Sequence, residues 1–128
     1  MNETRVLVCG SRGWTNRALI NYKLSWFLEP DSHVVVVHGA ARGADTIAAE
    51  EAEKLGFEVE EHPAEWHEHG RGAGVLRNEE MARSGADACL AFWDGKSKGT
   101  EDMIRRCRAH KIPVTIIYDD EELPDHSG

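Results

Sequence analysis

Five apolar runs of strand length alternate with segments of helical period, and this alternation constrains the fold more than any other feature of the chain. The runs are Arg5 to Cys9, His33 to His38, Phe57 to His62, Asp87 to Trp93 and Pro113 to Tyr118. Between them, Leu19, Ile20, Leu24, Phe27 and Leu28 mark a first helix, and Ala44, Ile47, Ala48, Ala52 and Leu55 recur at helical spacing in a second, which Gly56 ends. A third helix is expected over residues 75–84, before Gly85, and a fourth over 100–109, before the extended Ile112-Pro113 step. Strand–helix units joined by right-handed crossovers predict a single Rossmann-like α/β domain, a doubly wound parallel sheet of five strands, and analogy with doubly wound folds in general gives the order 3-2-1-4-5. That domain covers residues 1–118, and 119–128 reads as an acidic, disordered tail.

At 128 residues the chain supports one hydrophobic core. Its formal charge is −8, but the last ten residues hold five acids (Asp119, Asp120, Glu121, Glu122 and Asp125) and no Lys or Arg, which leaves −3 on the body. That balance argues against binding duplex nucleic acid by phosphate neutralisation, although it leaves room for a local basic pocket. No apolar run approaches the roughly 20 residues of a membrane helix, and the apolar stretch ending at Gly10 is too short for a secretory signal, so a cytoplasmic protein without a membrane partner is expected. Cys9, Cys89 and Cys107 lack metal-ligand spacing and read as reduced, structural thiols. His62, His67 and His69 with Glu65 and Glu68 form no second defined ligand pair, so they read as solvated histidines; neither a metal nor a cofactor is expected.

In a sheet of this order the loops after strands 1, 2 and 4 lie side by side, and these are the glycine-rich ones: Gly10-Ser11-Arg12-Gly13, then Gly39-Ala40-Ala41-Arg42-Gly43-Ala44-Asp45, then Asp94-Gly95-Lys96-Ser97-Lys98-Gly99-Thr100. Each leads into a helix, whose unpaired N–H groups and positive dipole end suit a phosphate, and Arg12, Arg42, Lys96 and Lys98 add cations. Two familiar motifs fail on spacing. Gly95-Lys96-Ser97 would end a P-loop only with glycine where Leu90 stands, and the first loop lacks the G-x-G-x-x-G of a dinucleotide site, which argues against NAD in its usual mode. Arg77, beside Asn78, is either a phosphate clamp or a surface cation paired with Glu80 or Asp87. Asp45 is either a ribose contact or a helix cap, and Ser11 and Thr100 divide in the same way between phosphate and cap. Trp14 and Trp66, in rim loops, either stack on a base or pack, whereas Trp26 and Trp93 read as core. His38, at a strand end, reads as satisfied by neighbouring backbone rather than as an acid or base.

The segments RVLVCGSRGW, VVVVHGAARGADTIAAE, HPAEWHEHGRGAGVLRNEEM and GTEDM together resemble the SLOG superfamily, and within it the small stand-alone YspA/YpsA-like branch, over residues 5–118. The resemblance implies a nucleotide or nucleotide-derived small molecule held on Gly10 to Gly13, Gly39 to Gly43 and Gly99-Thr100, with Arg12, Arg42 and Arg77 as cations. More distantly the chain resembles the LOG phosphoribohydrolases, which cleave the N-glycosidic bond of nucleoside 5′-monophosphates. Arg77 and Met81 match their R-x-x-x-M helix, but Met103 stands at the position of their catalytic Glu. A thioether cannot do a carboxylate's work there. The catalytic candidates that remain are Arg77 with Glu101 and Asp102, and the two acids equally suit the first turn of a helix on dipole grounds. A third likeness, to the Rossmann-like domain of DprA/Smf, implies single-stranded DNA binding, which the acidic balance disfavours. The family resemblance also implies a homodimer paired through helices, for which the sequence offers Tyr22, Trp26 and the third helix as contacts.

Overall fold

A computed structural model describes residues 2–124; of the expected tail, 125–128 lie outside the described residues. Eleven elements follow in order: β1 (Asn2–Gly10), α1 (Arg17–Ser25), β2 (Ser32–His38), α2 (Ala44–Lys54), β3 (Glu58–Glu61), α3 (Trp66–His69), a 3-10 turn (Gly70–Gly72), α4 (Ala73–Ser84), β4 (Ala88–Phe92), α5 (Lys98–Ala109) and β5 (Val114–Ile117). The strands form one all-parallel sheet in the order β3-β2-β1-β4-β5. This is the doubly wound Rossmann-like architecture that the alternation predicts.

The period-2 geometry of a strand sorts side chains onto two faces. Val6, Val8, Val34, Val36, Leu90 and Phe92 pack under α1 and α2, through Leu19, Ile20, Leu24, Ala44, Ala48 and Ala52. The alternate residues Leu7, Cys9, Val35, Val37, Cys89 and Ala91 pack under α4 and α5, through Met81, Ala82, Met103, Ile104 and Cys107. Both faces are covered, which is why Val34 to Val37 is apolar at every position. Burying a Val or Leu side chain fully contributes roughly 1.5 to 3 kcal/mol, so these central strands dominate stability. All three cysteines are free and buried, and no described helix is long and apolar enough to cross a membrane.

The differences from expectation lie at element ends. β1 begins at Asn2 because its polar start pairs with β2, Asn2 opposite Ser32 and Thr4 opposite Val34. α1 stops at Ser25, short of Phe27 and Leu28, and α5 begins at Lys98 because the Ser97 side chain accepts from Thr100 N and caps it. The short α3 turn has no apolar periodicity to announce it. Trp26, expected in the core, is 55% exposed: its ring meets Tyr22 edge-on and lies under the Lys23 ammonium. Past β5 the chain still makes contacts, since Asn16 donates to Asp119 (3.1 Å) and Lys23 pairs with Glu121.

Candidate functional site

β1 is central, with β2 and β4 on either side, so the three glycine-rich turns leave the sheet as neighbours. They enclose a cavity of about 400 Å³, within the range of small-molecule sites. The turn after β1 contributes Gly10, Arg12 and Gly13; that after β2, Gly39, Ala41 and Asp45; that after β4, Asp94, Ser97, Lys98, Gly99 and Thr100. Arg77 and Asn78 of α4 close one side, and Val8, Cys9, Met81 and Met103 make an apolar floor.

Ser11 fastens the three turns together. Its hydroxyl accepts from Asp94 N (3.0 Å) and its carbonyl from Ala44 N (3.2 Å), while its own N–H reaches Phe92 O (2.9 Å). Gly10 has no room for a side chain, since a Cβ there would lie 2.5 Å from both Ala44 Cβ and Phe92 O. Asp94 bends the third turn by accepting from Lys96 N and Ser97 N, each at 2.8 Å, which delivers Ser97 to the cap of α5. Thr100 is buried, and its hydroxyl donates to Ser97 Oγ (3.0 Å). The N–H groups of Arg12, Gly13, Lys98 and Gly99, all on residues lining the cavity, have no hydrogen-bond partner among the described residues.

A buried carboxylate and a half-buried guanidinium shape the interior. Asp45 is 5% exposed and accepts from Gly39 N (3.1 Å) and Ala41 N (3.3 Å), so its carboxylate organises the turn after β2. Burial drives its pKa up to about 6, against the pull of those donors and of Arg77. Arg77 lies flat across Gly39, donating through Nη1 to its carbonyl and through Nε to Asn78 Oδ1 (2.9 Å). A Cβ on residue 39 would come 2.7 Å from the guanidinium carbon, so this glycine is what lets Arg77 lie there. Burial lowers the Arg77 pKa from its usual value, and the Asp45 carboxylate opposes that shift. Arg12, Arg42 and Arg77 have no carboxylate within ion-pair distance among the described residues, whereas Arg5, Arg17 and Arg106 are paired with Glu60, with Glu50 and Glu51, and with Asp102 and Glu79.

The raised Asp45 pKa has a consequence for stability. Because the folded value lies above the ordinary 3.8, the native state binds the extra proton; stability is greatest below that ordinary value and is lost as pH rises through about 6. Asp45→Asn keeps an oxygen acceptor and removes the charge. The stability of this variant relative to the parent is expected to grow by roughly 2 to 3 kcal/mol between pH 4 and pH 7 in urea titrations. A constant difference would contradict the assignment.

Not every expected residue lines the cavity. Trp14 is 4% exposed, meets Phe92 edge-on with ring centroids 5.4 Å apart and donates from Nε1 to Asn16 O (3.0 Å), so of its two roles the structure gives it packing. Gly43 also stands outside; it serves the turn with φ +77°. Glu101 is exposed, and Asp102 is held by Asn78 (2.9 Å) and Arg106 (2.8 Å). Burial opposes ionisation of Asp102, but Arg106 and Asn78 outweigh it and hold the pKa below its ordinary value. Neither acid lines the cavity, whereas Met103 does. Ala40 and Arg42 open instead onto an adjacent cavity with Trp66. His38 is buried, accepts from Ala40 N at Nδ1 (3.0 Å) and has its pKa lowered by burial, so it supports the backbone as a neutral ring. His69 with Glu65 and Glu68, and His33 with Glu3 and Glu58, group apart from the cavity. Ala41, Asp94 and Ser97 line the cavity although no individual role was expected of them; the Asp94-x-x-Ser97 spacing, a side-chain-bonded turn feeding a helix cap, is the signal that identifies two of them.

Residues 4–69 match the family model described as the YspA, cpYpsA-related SLOG family. This match takes in the turns after β1 and β2 and stops short of Arg77. The chain is 48% identical over 121 residues to the Gene 61 protein of Mycobacterium phage D29, an alignment spanning 90% of this chain and 97% of the phage protein. It is also similar, at 14% identity and a TM-score of 0.45, to the crystal structure of a predicted subunit of tRNA methyltransferase from Methanocaldococcus jannaschii, over 88% of this chain and 67% of that one.

Proposed function

The chain belongs to the YspA, cpYpsA-related SLOG family, and from that premise we propose that it binds a nucleotide or nucleotide-derived small molecule in the cavity between its three glycine-rich turns. One observation carries this reading: four backbone N–H groups without a hydrogen-bond partner and two guanidiniums without a carboxylate partner among the described residues, those of Arg12 and Arg77, surround a single cavity. Oriented N–H groups at a helix start and a planar guanidinium are the donors that a phosphate's oxygens fit. Asp45 gives the cavity a proton-dependent charge, and its ionisation near pH 6 opposes an anionic ligand.

Gly99 supplies the test. It lines the cavity, yet a Cβ there would meet nothing within 4 Å, so the fold leaves room for a side chain and a bound phosphate does not. Gly99→Val is expected to melt within about 2 °C of the parent and to bind AMP and GMP at least tenfold more weakly by titration calorimetry, a loss of about 1.4 kcal/mol. Equal affinity in parent and variant would exclude this cavity as the nucleotide site.

A second reading, N-glycosidic hydrolysis of nucleoside monophosphates, is favoured by a different observation. Two cavity carboxylates are pushed in opposite directions: burial raises Asp45, while the backbone donors of Lys96 and Ser97 lower Asp94. Carboxyls separated in this way divide acid and base roles in glycoside cleavage. Release of free base from a nucleoside monophosphate, abolished by Asp45→Asn, supports hydrolysis; intact nucleotide after prolonged incubation opposes it.

A further inference from the structure

A second cavity, of about 580 Å³, adjoins the first. The two share Arg12, Gly39, Ala41 and Arg77, so these residues form the wall between compartments rather than the edge of either. Each compartment alone exceeds the roughly 300 Å³ lower bound of small-molecule sites. Their chemistry differs. The first is lined by the carboxylates Asp45 and Asp94; among the described residues no Asp or Glu lines the second, which adds Arg42, Pro63 and Trp66 to the shared Arg12 and Arg77. Three guanidiniums without carboxylate partners among the described residues thus gather here, although the chain carries a formal charge of −8. Trp66 is 52% exposed on the short α3 turn, with its ring against Gly74 and outside both core clusters. An indole held at the mouth of a cationic cavity, contributing nothing to the core, suits stacking on a planar base.

We propose that the Trp66 compartment is a second subsite, so that the ligand comprises two nucleoside units joined through phosphate: one unit in the glycine-lined cavity, its phosphates on Arg12 and Arg77, and the second base on Trp66 beside Arg42. This rests on the nucleotide reading of the first cavity and adds the class of molecule. The three guanidiniums answer a bridging phosphate's charge from both sides, which a mononucleotide confined to the first cavity would use only in part.

The test is titration calorimetry of the full chain with AMP, with the pyrophosphate-linked di(adenosine-5′) diphosphate and with the 3′–5′ phosphodiester-linked pApA, repeated with the guanine counterparts. At least one two-unit probe is expected to bind tenfold or more tightly than its mononucleotide, and the linkage that gains identifies the source. Trp66→Ala is expected to remove that gain while AMP affinity stays within twofold, and Trp66→Phe to restore most of it. Because Trp66 stands outside the core, folding is not at stake, and unchanged melting of both variants checks this. If mononucleotides bind and no two-unit probe gains, or if the gain survives Trp66→Ala, the subsite is refuted and the first cavity stands. If no probe binds at all, both readings fall together.

Discussion

Replacing Gly43 by valine is expected to lower the melting temperature by about 10 °C. Gly43 adopts φ +77° and ψ −122°, a conformation essentially reserved for glycine, and a Cβ there would lie 2.6 Å from the Arg12 carbonyl carbon. Backbone strain of roughly 1 to 3 kcal/mol combines with overpacking of similar size, because the opposing atoms are main chain and cannot swing away. A loss on the order of 3 kcal/mol is a large share of the roughly 5 to 15 kcal/mol that stabilises a typical domain. Gly13→Val is the control: a Cβ at residue 13 has open space, so melting is expected within about 2 °C of the parent. Equal melting of the two variants would mean that the contact between the first and second turns is not as described.

Arg77→Met is expected to weaken mononucleotide binding about a hundredfold, close to 2.7 kcal/mol, the largest effect on affinity from any one side chain. Arg77 is the one residue that faces the first cavity, supports the second turn through the Gly39 carbonyl and forms part of the wall between compartments. Its cation also restrains the Asp45 pKa, so its loss raises that pKa further and moves the pH dependence of stability upward. Methionine retains most of the apolar stem, which separates loss of the fork from loss of packing. Arg77→Lys keeps the charge without the planar fork and is expected to fall between the two. Calorimetry with AMP measures all three; parent-like affinity in the methionine variant would remove Arg77 from the site.

The architecture was legible because it rests on long-range regularities. Residues 34–37 read as a buried strand at every position, and the alternation of runs and periodic segments points to a doubly wound parallel sheet, whose order 3-2-1-4-5 follows by analogy with doubly wound folds in general. The gathering of the three turns follows from that order. What the sequence could not resolve is which way single residues face once the turns have closed. Trp14 and Trp66 are both aromatic and both in loops, yet one seals the core beneath Phe92 and the other stands exposed, a difference decided by tertiary packing rather than by local pattern. Gly43 and Gly99 look alike in a string of letters, but one answers to a backbone conformation and the other to open space. Glu101 and Asp102 are adjacent acids that suggest catalysis, while the cavity's carboxylates are Asp45 and Asp94, each accepting from backbone N–H groups of its own turn. Trp26 shows the limit of helical periodicity: it follows the last residue of α1 and stays 55% exposed, meeting Tyr22 and the Lys23 ammonium rather than the core.

The central claim is that three separate glycine-rich turns form one anion-binding cradle, and amide NMR during a titration with AMP tests it most directly. The account predicts that the Arg12, Gly13, Lys98 and Gly99 amides, which come from turns 85 or more residues apart in sequence, shift together along one binding isotherm and lose the response in Arg77→Met. Amides that stay unmoved, or that follow separate isotherms in the two turns, would contradict a single shared site.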